Sequence, residues 1–439
     1  MRILTVGGGG REHAAVEALF RSGAEIYSVM KNANPGIVRR AKAYKLVDER
    51  QIDDICEFAI EHDIGYAFIG PEAPLEIGLV DALEHIGVQC AAPTKSAARI
   101  ETSKAFMRWL VSKHNIEGNL IHAHFTNEED TERYLKMLDR EIVVKPVGLT
   151  GGKGVKIQGE HLNSHDETMA YVREILSGAG GSEGVIIEEK VEGEEFTQMI
   201  FVDGKHIAPM PLVQDHKRAY EGDNGPNTGG MGSYSDANHL LPFISEEVRK
   251  KALDILKNIV DAMSEEGCPY RGPMYGQFML TKTGPKIIEI NSRFGDPEAM
   301  NVLPILESDF LAIIRDMTAG KLRDDIKFKN LATVCKYVVP SGYGTKPDAG
   351  HEVCIDEDSI QKVGAEVFYA NVDEIDGKLF TMTSRSVGVV GIGETIEEAE
   401  KICEAALKFV VGDSICIRHD IGTEEIIQKK IDRIKKLLS

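Results

Sequence analysis

Between residues 1 and 100, short apolar runs alternate with amphipathic stretches: Ile3 to Val6, a helical stretch from Glu12 to Arg21, Ile26 to Val29, a second from Ile52 to Glu61, Tyr66 to Ile69, and a third from Leu75 to His85. Strands buried on both faces read as unbroken apolar runs, and strands joined through helices pair in parallel. The alternation therefore predicts βαβ units and a Rossmann-like parallel sheet. Ligands of such sheets bind at the carboxyl ends of strands, where this chain places Gly7-Gly8-Gly9-Gly10-Arg11, Asn34-Pro35-Gly36 and Gly70-Pro71-Glu72-Ala73-Pro74. The spacing is not the dinucleotide fingerprint. A G-x-G begun at Gly7 or Gly8 puts Glu12 or His13 where the third glycine belongs, and the second strand ends at Met30-Lys31 rather than at a ribose-binding acid. Two readings stay open: a phosphate at the first helix N-terminus beside Arg11, or a tight strand-to-helix turn.

Residues 276 to 298 carry the densest chemistry. Gly276 to Leu280, a turn over Thr281 to Pro285, and Lys286 to Asn291 read as a hairpin that sets Gln277 roughly opposite Glu289. The two-residue strand period puts Glu289, Asn291 and Arg293 on one face and Ile288 and Ile290 on the other. Mg²⁺ takes one or two protein carboxylates and completes its shell with water and phosphate oxygens, so Gln277, Glu289 and Asn291 beside an arginine suit a metal-nucleotide site. An edge strand with its polar face in water is the alternative.

Upstream, a helix over Ser103 to Lys113 precedes Ile142-Val143-Val144-Lys145 and the loop from Pro146 to Gly154, with Gly148, Gly151, Gly152 and Gly154. Glycines let backbone N–H groups approach phosphate oxygens, and Lys145 and Lys153 add point charges. The loop is not a Walker A motif, which needs Gly-Lys followed by Ser or Thr at a helix start, and an ordinary hairpin also fits. Glu188 to Glu195, read as local polarity alone, is a solvated acidic turn.

The chain has 439 residues and is 42% hydrophobic, enough for about three domains with real cores. Its net charge of −19, with dispersed Lys and Arg, argues against a nucleic-acid partner, so an anionic ligand must be gathered by local cationic pockets. Seven cysteines without C-x-x-C spacing suit reduced thiols rather than disulfides or a zinc site. The N-terminus lacks a signal-peptide apolar run, and no later run approaches a membrane span. A soluble cytoplasmic protein is expected, monomeric, with a dimer as the alternative.

Taken together, Val6 to Ala14 (Val-Gly-Gly-Gly-Gly-Arg-Glu-His-Ala), Asn34-Pro-Gly36, Gly70-Pro-Glu-Ala-Pro-Leu75, Pro93-Thr-Lys95, Ser103-Lys-Ala-Phe106, Asp215-His-Lys-Arg218, Gly225-Pro-Asn-Thr-Gly-Gly-Met-Gly232 and Arg293-Phe-Gly-Asp-Pro-Glu298 resemble the glycinamide ribonucleotide synthetase family of ATP-grasp ligases. The resemblance runs from residue 1 to Asp420-Ile421-Gly422. It implies an α/β and α+β multidomain chain: a Rossmann-like domain over 1–102, an ATP-grasp domain over 103–325 with a mobile lid about 120–190, and a small C-terminal α+β domain over 326–439. It also implies ATP as cosubstrate, Mg²⁺ or Mn²⁺, glycine and 5-phosphoribosylamine.

By the same resemblance, the hinge with Glu188, Glu189 and Val191 holds adenine, Glu195 reaches the ribose, Lys104 and Lys145 meet phosphates, and Gly151, Gly152 and Lys153 sit in the lid loop. Arg293, Lys145 and Asp215 are the implied catalytic set. Gly9, Gly10, Arg11, Asn34, Gly36, Glu72, Asp215, Lys217, Arg293, Gly295 and Asp296 are the implied substrate contacts, while Glu72 also fits a helix cap; His13 fits packing or a ligand contact, and His216 fits orienting its neighbours or a ligand contact. The rival readings are a related ATP-grasp enzyme of the formate-dependent transformylase or carboxylase type, and a non-catalytic nucleotide-binding protein.

The last section carries predicted strands at 332–339, 365–370 and 385–392 and a helix over 395–409. Lys336 to Gly344 and Thr383-Ser-Arg-Ser386 depart from the more glycine-rich turns of bacterial members. The tail places Ile427, Ile431, Ile434 and Leu438 on one helical stripe, which predicts a docked terminal helix.

Overall fold

The computed structural model describes residues 1–149, 154–178 and 183–439. Five parallel strands open the chain: β1 (Arg2–Val6), β2 (Glu25–Met30), β3 (Ala41–Leu46), β4 (Tyr66–Ile69) and β5 (Gln89–Cys90), in spatial order β3-β2-β1-β4-β5. The connecting helices are α1 (Gly10–Arg21), α2 (Pro35–Arg40), α3 (Ile52–Glu61), α4 (Glu72–Ile77) and α5 (Leu79–His85). The single helix expected over 75–85 is two helices broken at Gly78, whose φ of 95° lies in the left-handed region. Strand β3 lacks an apolar run because it is a sheet edge, with Lys42, Tyr44 and Leu46 turned to water.

Helix α6 (Lys95–Thr102) leads through Ser103, the N-cap of α7 (Lys104–Lys113), into a small antiparallel sheet. Its strands β6 (His122–Phe125), β7 (Ile142–Pro146), β8 (Lys156–Ile157) and β9 (Val185–Glu189) run in order β6-β9-β7-β8. Helices α8 (Glu128–Met137) and α9 (His165–Leu176) cover it, and Val144, Ile187, Tyr171 and Val172 belong to an apolar cluster of its own.

The central segment continues with β10 (Glu194–Asp203), β11 (Ile207–Pro209), β12 (Gln214–Asp215), β13 (Arg218–Tyr220), β14 (Asn224–Asn227), β15 (Gly232–Ser235), α10 (Glu246–Glu265), β16 (Arg271–Thr281) and β17 (Gly284–Asn291). Sheet β11-β10-β16-β17 packs under α10, whose Ile255, Leu256, Ile259, Val260 and Met263 are buried. The expected hairpin is β16–β17, with Gln277 directly opposite Glu289. A register shift follows, because Phe278 pairs with Ile287, so Ile288 is an extra bulged residue and Ile287 takes its place in the core. Arg293 does not share the strand face as expected. The strand ends at Asn291, and Arg293 lies in the loop beyond it.

After α11 (Ala299–Val302) and α12 (Phe310–Thr318) come β18 (Ala332–Pro340), β19 (Glu352–Ile355), α13 (Glu357–Lys362), β20 (Ala365–Tyr369), β21 (Val372–Ile375), β22 (Lys378–Thr381), β23 (Val387–Gly393), α14 (Ile396–Leu407), β24 (Val410–Gly412), β25 (Ile415–Cys416) and α15 (Glu424–Leu438). One sheet runs β12-β15-β18-β23-β20, so strands from before residue 326 pair with strands after it and no sheet boundary falls at 325/326. A second sheet, β21-β22-β19-β24, has short, half-exposed strands that left no apolar signal in the sequence.

Helix α15 docks through Ile426, Ile427 and Ile434, with Lys430 and Arg433 at 3.3 and 3.1 Å from Glu194. Leu438 departs from the expected stripe and is exposed at the helix end. No helix among the described residues is long and apolar enough to cross a membrane.

Strand β23 meets α14 so closely at Gly391 that a Cβ there would fall 1.9 Å from the Ala399 carbonyl oxygen. Gly391→Ala must separate two backbones and should lower stability in urea by about 2–3 kcal/mol. A variant with wild-type stability would show that this contact yields freely.

Candidate active site

Lys145 projects from β7 and is buried, with Nζ 2.7 Å from Glu188 Oε2 and 3.4 Å from the Ile288 carbonyl. The other Glu188 oxygen accepts from Arg108 Nε at 2.7 Å. Burial alone would raise the Glu188 pKa, but Arg108 and Lys145 hold it down at about 2. The acidic run is thus not a solvated turn: Glu188 is 2% exposed, and Glu194 is buried against α15. Lys104, first residue of α7, donates from Nζ to the Gly148 carbonyl at 2.8 Å. Burial and the neighbouring Lys145 lower its pKa. At the end of β9, Glu189 accepts from the Ile121 amide at 2.9 Å and from Arg140 at 3.0 Å, and Val191 lies in the connection to β10. Gly151, Gly152 and Lys153 lie outside the described residues.

The cross-strand pair Gln277 and Glu289 meets Asn291, whose Nδ2 is 3.3 Å from Glu289 Oε1. Gln277 Nε2 donates to Glu195, and Gln277 Oε1 accepts from Lys217 Nζ at 2.5 Å. Lys217 also lies 3.8 Å from Glu195 and 4.0 Å from Glu289. These carboxylates raise its pKa against the effect of burial. Reciprocally, Lys217, Lys145 and Lys104 outweigh burial and keep Glu289 ionised. The ionised Glu289 carboxylate and the Asn291 amide oxygen along one sheet face fit a hard divalent cation that shares phosphate oxygens, and Gln277 Oε1, which here accepts from Lys217 and from Tyr275 Oη at 3.2 Å, would join them on release from those donors.

Asp215 ends β12, and its buried Oδ1 has no hydrogen-bond partner. Burial and the nearby Glu298 push its pKa well up. An unpartnered acceptor of this kind is a seat for a cationic donor. His216 is buried, with Nδ1 3.0 Å from Asp223, and burial lowers its pKa to about 4, so it stays neutral and orients its neighbours. Asp223 is gripped in turn by Arg418 at 2.7 Å and Lys430 at 3.2 Å, so the Asp215–Lys217 segment is braced from the C-terminal end of the chain.

Arg293 lies between Glu72 (3.2 Å) and Glu101 (2.9 Å) and donates to the Phe294 carbonyl at 3.0 Å. Three of its five N–H groups are used, which leaves two. Burial opposes ionisation of Glu72, but Arg293 and Arg11 hold its pKa at about 2. Asp296 accepts from Tyr337 Oη at 2.6 Å and faces Arg385 at 3.2 Å. Gly295 leaves space that a Cβ would contest with Glu298 and Tyr275.

The N-terminal expectations are partly corrected. The start of α1 already holds a carboxylate: Glu12 Oε2 accepts from the Gly9 amide at 2.9 Å, and Arg11 Nε pairs with Glu12 Oε1 at 2.7 Å. A phosphate cannot take that same amide, although Gly10 and Arg11 remain beside it. Asn34 uses its whole side chain on the protein, since Oδ1 accepts from Gly36 and Ile37 amides and Nδ2 donates to the Gly8 and Tyr369 carbonyls. It is the cap of α2 and a tie to the C-terminal sheet, with no polar atom left for a ligand. Gly36 faces the His13 ring, which a Cβ would strike at 1.9 Å. His13 itself packs, accepting from the Tyr369 amide at 2.8 Å.

Sequence reasoning missed Glu12, Glu101, Arg108, Glu298 and Arg385. Glu12 had a signal, an acid three residues after the turn glycine, as in a capping box. Arg108 lies one helical turn after Lys104 and so shares its face. Arg385, which donates to the carbonyls of Gly229 and Asp296, had none, because its partners are distant in sequence.

Glu188 has a depressed pKa, so its stabilising contribution is complete above the ordinary carboxylate pKa and is lost as pH falls toward about 2. The stability difference between wild type and Glu188→Gln should therefore shrink by about 3 kcal/mol between pH 5 and pH 2 in urea titrations. A difference independent of pH would refute the buried ion pair.

Residues 1–101, 102–299 and 333–424 match, in order, the family models for the N domain, the ATP-grasp (A) domain and the C domain of phosphoribosylglycinamide synthetase. The phosphoribosylamine–glycine ligase of Methanosphaera stadtmanae is 48% identical over 439 residues, spanning 100% of both chains. That of Pyrococcus furiosus is 48% identical over 437 residues, spanning 100% of this chain and 98% of its own. The solved structure of the Thermotoga maritima phosphoribosylamine–glycine ligase superposes with a TM-score of 0.81 at 27% identity, over 96% of this chain and 100% of that one. A biotin carboxylase from Campylobacter jejuni, at TM-score 0.75 and 12% identity over 99% and 98% of the two chains, shares the fold alone. With three consecutive models covering most of its length and full-length relatives near half identity, the chain belongs to the phosphoribosylglycinamide synthetase family.

Proposed function

We propose that this protein is an ATP-dependent ligase that joins glycine to 5-phosphoribosylamine, giving glycinamide ribonucleotide, ADP and phosphate in purine biosynthesis. The observation that carries the reading is the meeting of Gln277, Glu289 and Asn291 with Lys217, beside Lys145 and the unpartnered Asp215, in a chain whose full-length relatives bear that name. The hinge from Glu188 to Val191 offers backbone groups to adenine, Glu195 serves the ribose, and Lys104 and Lys145 serve the phosphates. A cation about 4 Å from a phosphate contributes roughly 4 kcal/mol at an effective dielectric of 20, enough for several to offset the repulsion met by an incoming carboxylate. A bound Mg²⁺ or Mn²⁺ would neutralise charge on the transferring phosphoryl group.

The glycine carboxylate attacks the γ-phosphorus and ADP leaves, giving glycyl phosphate. The phosphoribosylamine nitrogen then attacks that carbonyl carbon and loses a proton as phosphate departs. Arg293, with two free N–H groups, suits the glycine carboxylate, and Asp215 suits the glycine ammonium beside Lys217. Asp296, Arg11 and the amides of Gly10 and Arg11 are the groups assigned to the phosphoribosyl group. The unit from β6 to β9 acts as a lid that keeps water from the acyl phosphate. A cytoplasmic enzyme is part of the same reading, supported by the free cysteines, and a monomer is proposed with it.

The test is ADP release from Mg-ATP and glycine, with and without phosphoribosylamine generated from ribose 5-phosphate and ammonia. ADP formed only with both substrates, matched by glycinamide ribonucleotide, is the expected result. Release that follows formate or bicarbonate instead would favour the related transformylase or carboxylase chemistry. Chelation by EDTA should abolish turnover, and Glu289→Gln should raise the Mg²⁺ needed for half-maximal rate by about tenfold or more. Unchanged metal dependence in that variant would remove Glu289 from the proposed ligand set.

A further inference from the structure

Arg108 is 1% exposed and lies outside every motif that carried the functional reading. Its guanidinium makes four contacts to three separate parts of the chain. Nε donates to Glu188 Oε1 at 2.7 Å, Nη1 to Asn119 Oδ1 at 3.2 Å, and Nη2 to the carbonyls of Ile287 and Ile288 at 3.0 and 3.3 Å. Lys145 approaches the same two acceptors from the other side, at 2.7 Å from Glu188 Oε2 and 3.4 Å from the Ile288 carbonyl. Two cations thus share one carboxylate and one carbonyl. The carbonyl belongs to the bulged residue of β17, and the next residue is Glu289. The carboxylate lies one residue before the end of the strand that leads into the hinge.

We propose that Arg108 is a positioning residue for nucleotide binding: by occupying one oxygen of Glu188 and the bulge carbonyls, it keeps Lys145 at the phosphate end of the cleft and in register with Glu289. The proposal rests on the reading of Lys145 as a phosphate ligand. Without Arg108, the whole charge of a buried carboxylate falls on Lys145, which is then drawn toward Glu188 and away from the nucleotide. The bulge that sets the direction of Glu289 also loses both bonds from Nη2 and keeps only Lys145, at the Ile288 carbonyl. A planar fork reaches carboxylate, amide and carbonyls together, which a lysine does only in part. Lys104, one turn earlier on α7, lies on the same helix face, so this helix contributes both a direct phosphate partner and the brace behind the second one.

The test uses the full chain as wild type, Arg108→Met, Arg108→Lys and the double variant Arg108→Met with Glu188→Gln, which removes the uncompensated buried charge. Mg-ADP affinity is measured by calorimetry, and KM for ATP and for glycine by ADP release. Arg108→Met should weaken Mg-ADP binding and raise the KM for ATP by about tenfold or more while the KM for glycine stays within about twofold. Arg108→Lys should recover part of the loss, and the double variant should bind Mg-ADP more tightly than Arg108→Met. Equal changes in the ATP and glycine constants, no change in either, or a double variant no tighter than the single one would overturn the proposal. The double variant and Arg108→Lys keep the comparison decisive if Arg108→Met fails to fold. Wild type that binds Mg-ADP but shows no glycine-dependent turnover would overturn the proposed function, and the calorimetric series would still decide the role of Arg108.

Discussion

A carboxylate withdrawn from water, Glu188, holds the centre of this molecule together. Removing a charge from solvent costs several kcal/mol, and the loss is made good only where the geometry supplies partners for each oxygen. Here each oxygen has its own cation at 2.7 Å. At the hinge, the pair joins helix α7 and the bulge of β17 to the last residues of strands β7 and β9. Such a cluster adds less to stability than an apolar replacement of the same shape, but it fixes geometry, which is what the proposed phosphoryl transfer requires.

The same economy runs through the rest of the cleft. A chain of net charge −19 gathers Lys104, Lys145, Lys217, Arg293 and Arg385 around a site for anions, and four of these five are set against acidic side chains. Fixed counter-charges hold those four aimed before a ligand arrives, so little reorganisation remains for the reaction itself. Asp215 and Glu298 are the contrasting pair: acids whose burial raises both pKa values, with repulsion from Glu298 added at Asp215 and from Asp296 at Glu298, leaving capacity for a cationic donor.

The C-terminal third takes part in building this cleft rather than merely covering it. Its sheet accepts β12 and β15 as members, and Arg385, Arg418 and Lys430 reach back to Asp296, Asp223 and Glu194. The divergent turn over Thr383 to Ser386 therefore holds a residue tied to the Gly229 carbonyl in the loop between β14 and β15. Asn34 and His13 serve the same purpose at the other edge, where they bind the Tyr369 backbone and join the N-terminal sheet to the C-terminal one.

What the amino-acid order determined by itself was whatever depends on local period and local chemistry. The parallel sheet was legible from buried apolar runs alternating with helices, and the Gln277–Glu289 register from a hairpin whose turn length leaves little freedom. Tertiary structure alone decided which charges neutralise which. Arg108 and Glu188 are 80 residues apart, and Arg385 and Asp296 are 89 apart, distances over which no periodicity carries information. It also decided that Asn34 is a cap rather than a contact, that Arg293 lies past the strand, and that the acidic hinge is partly buried. Each of those outcomes follows from which partner reaches a polar group first once water is excluded, and that competition exists only in the folded chain.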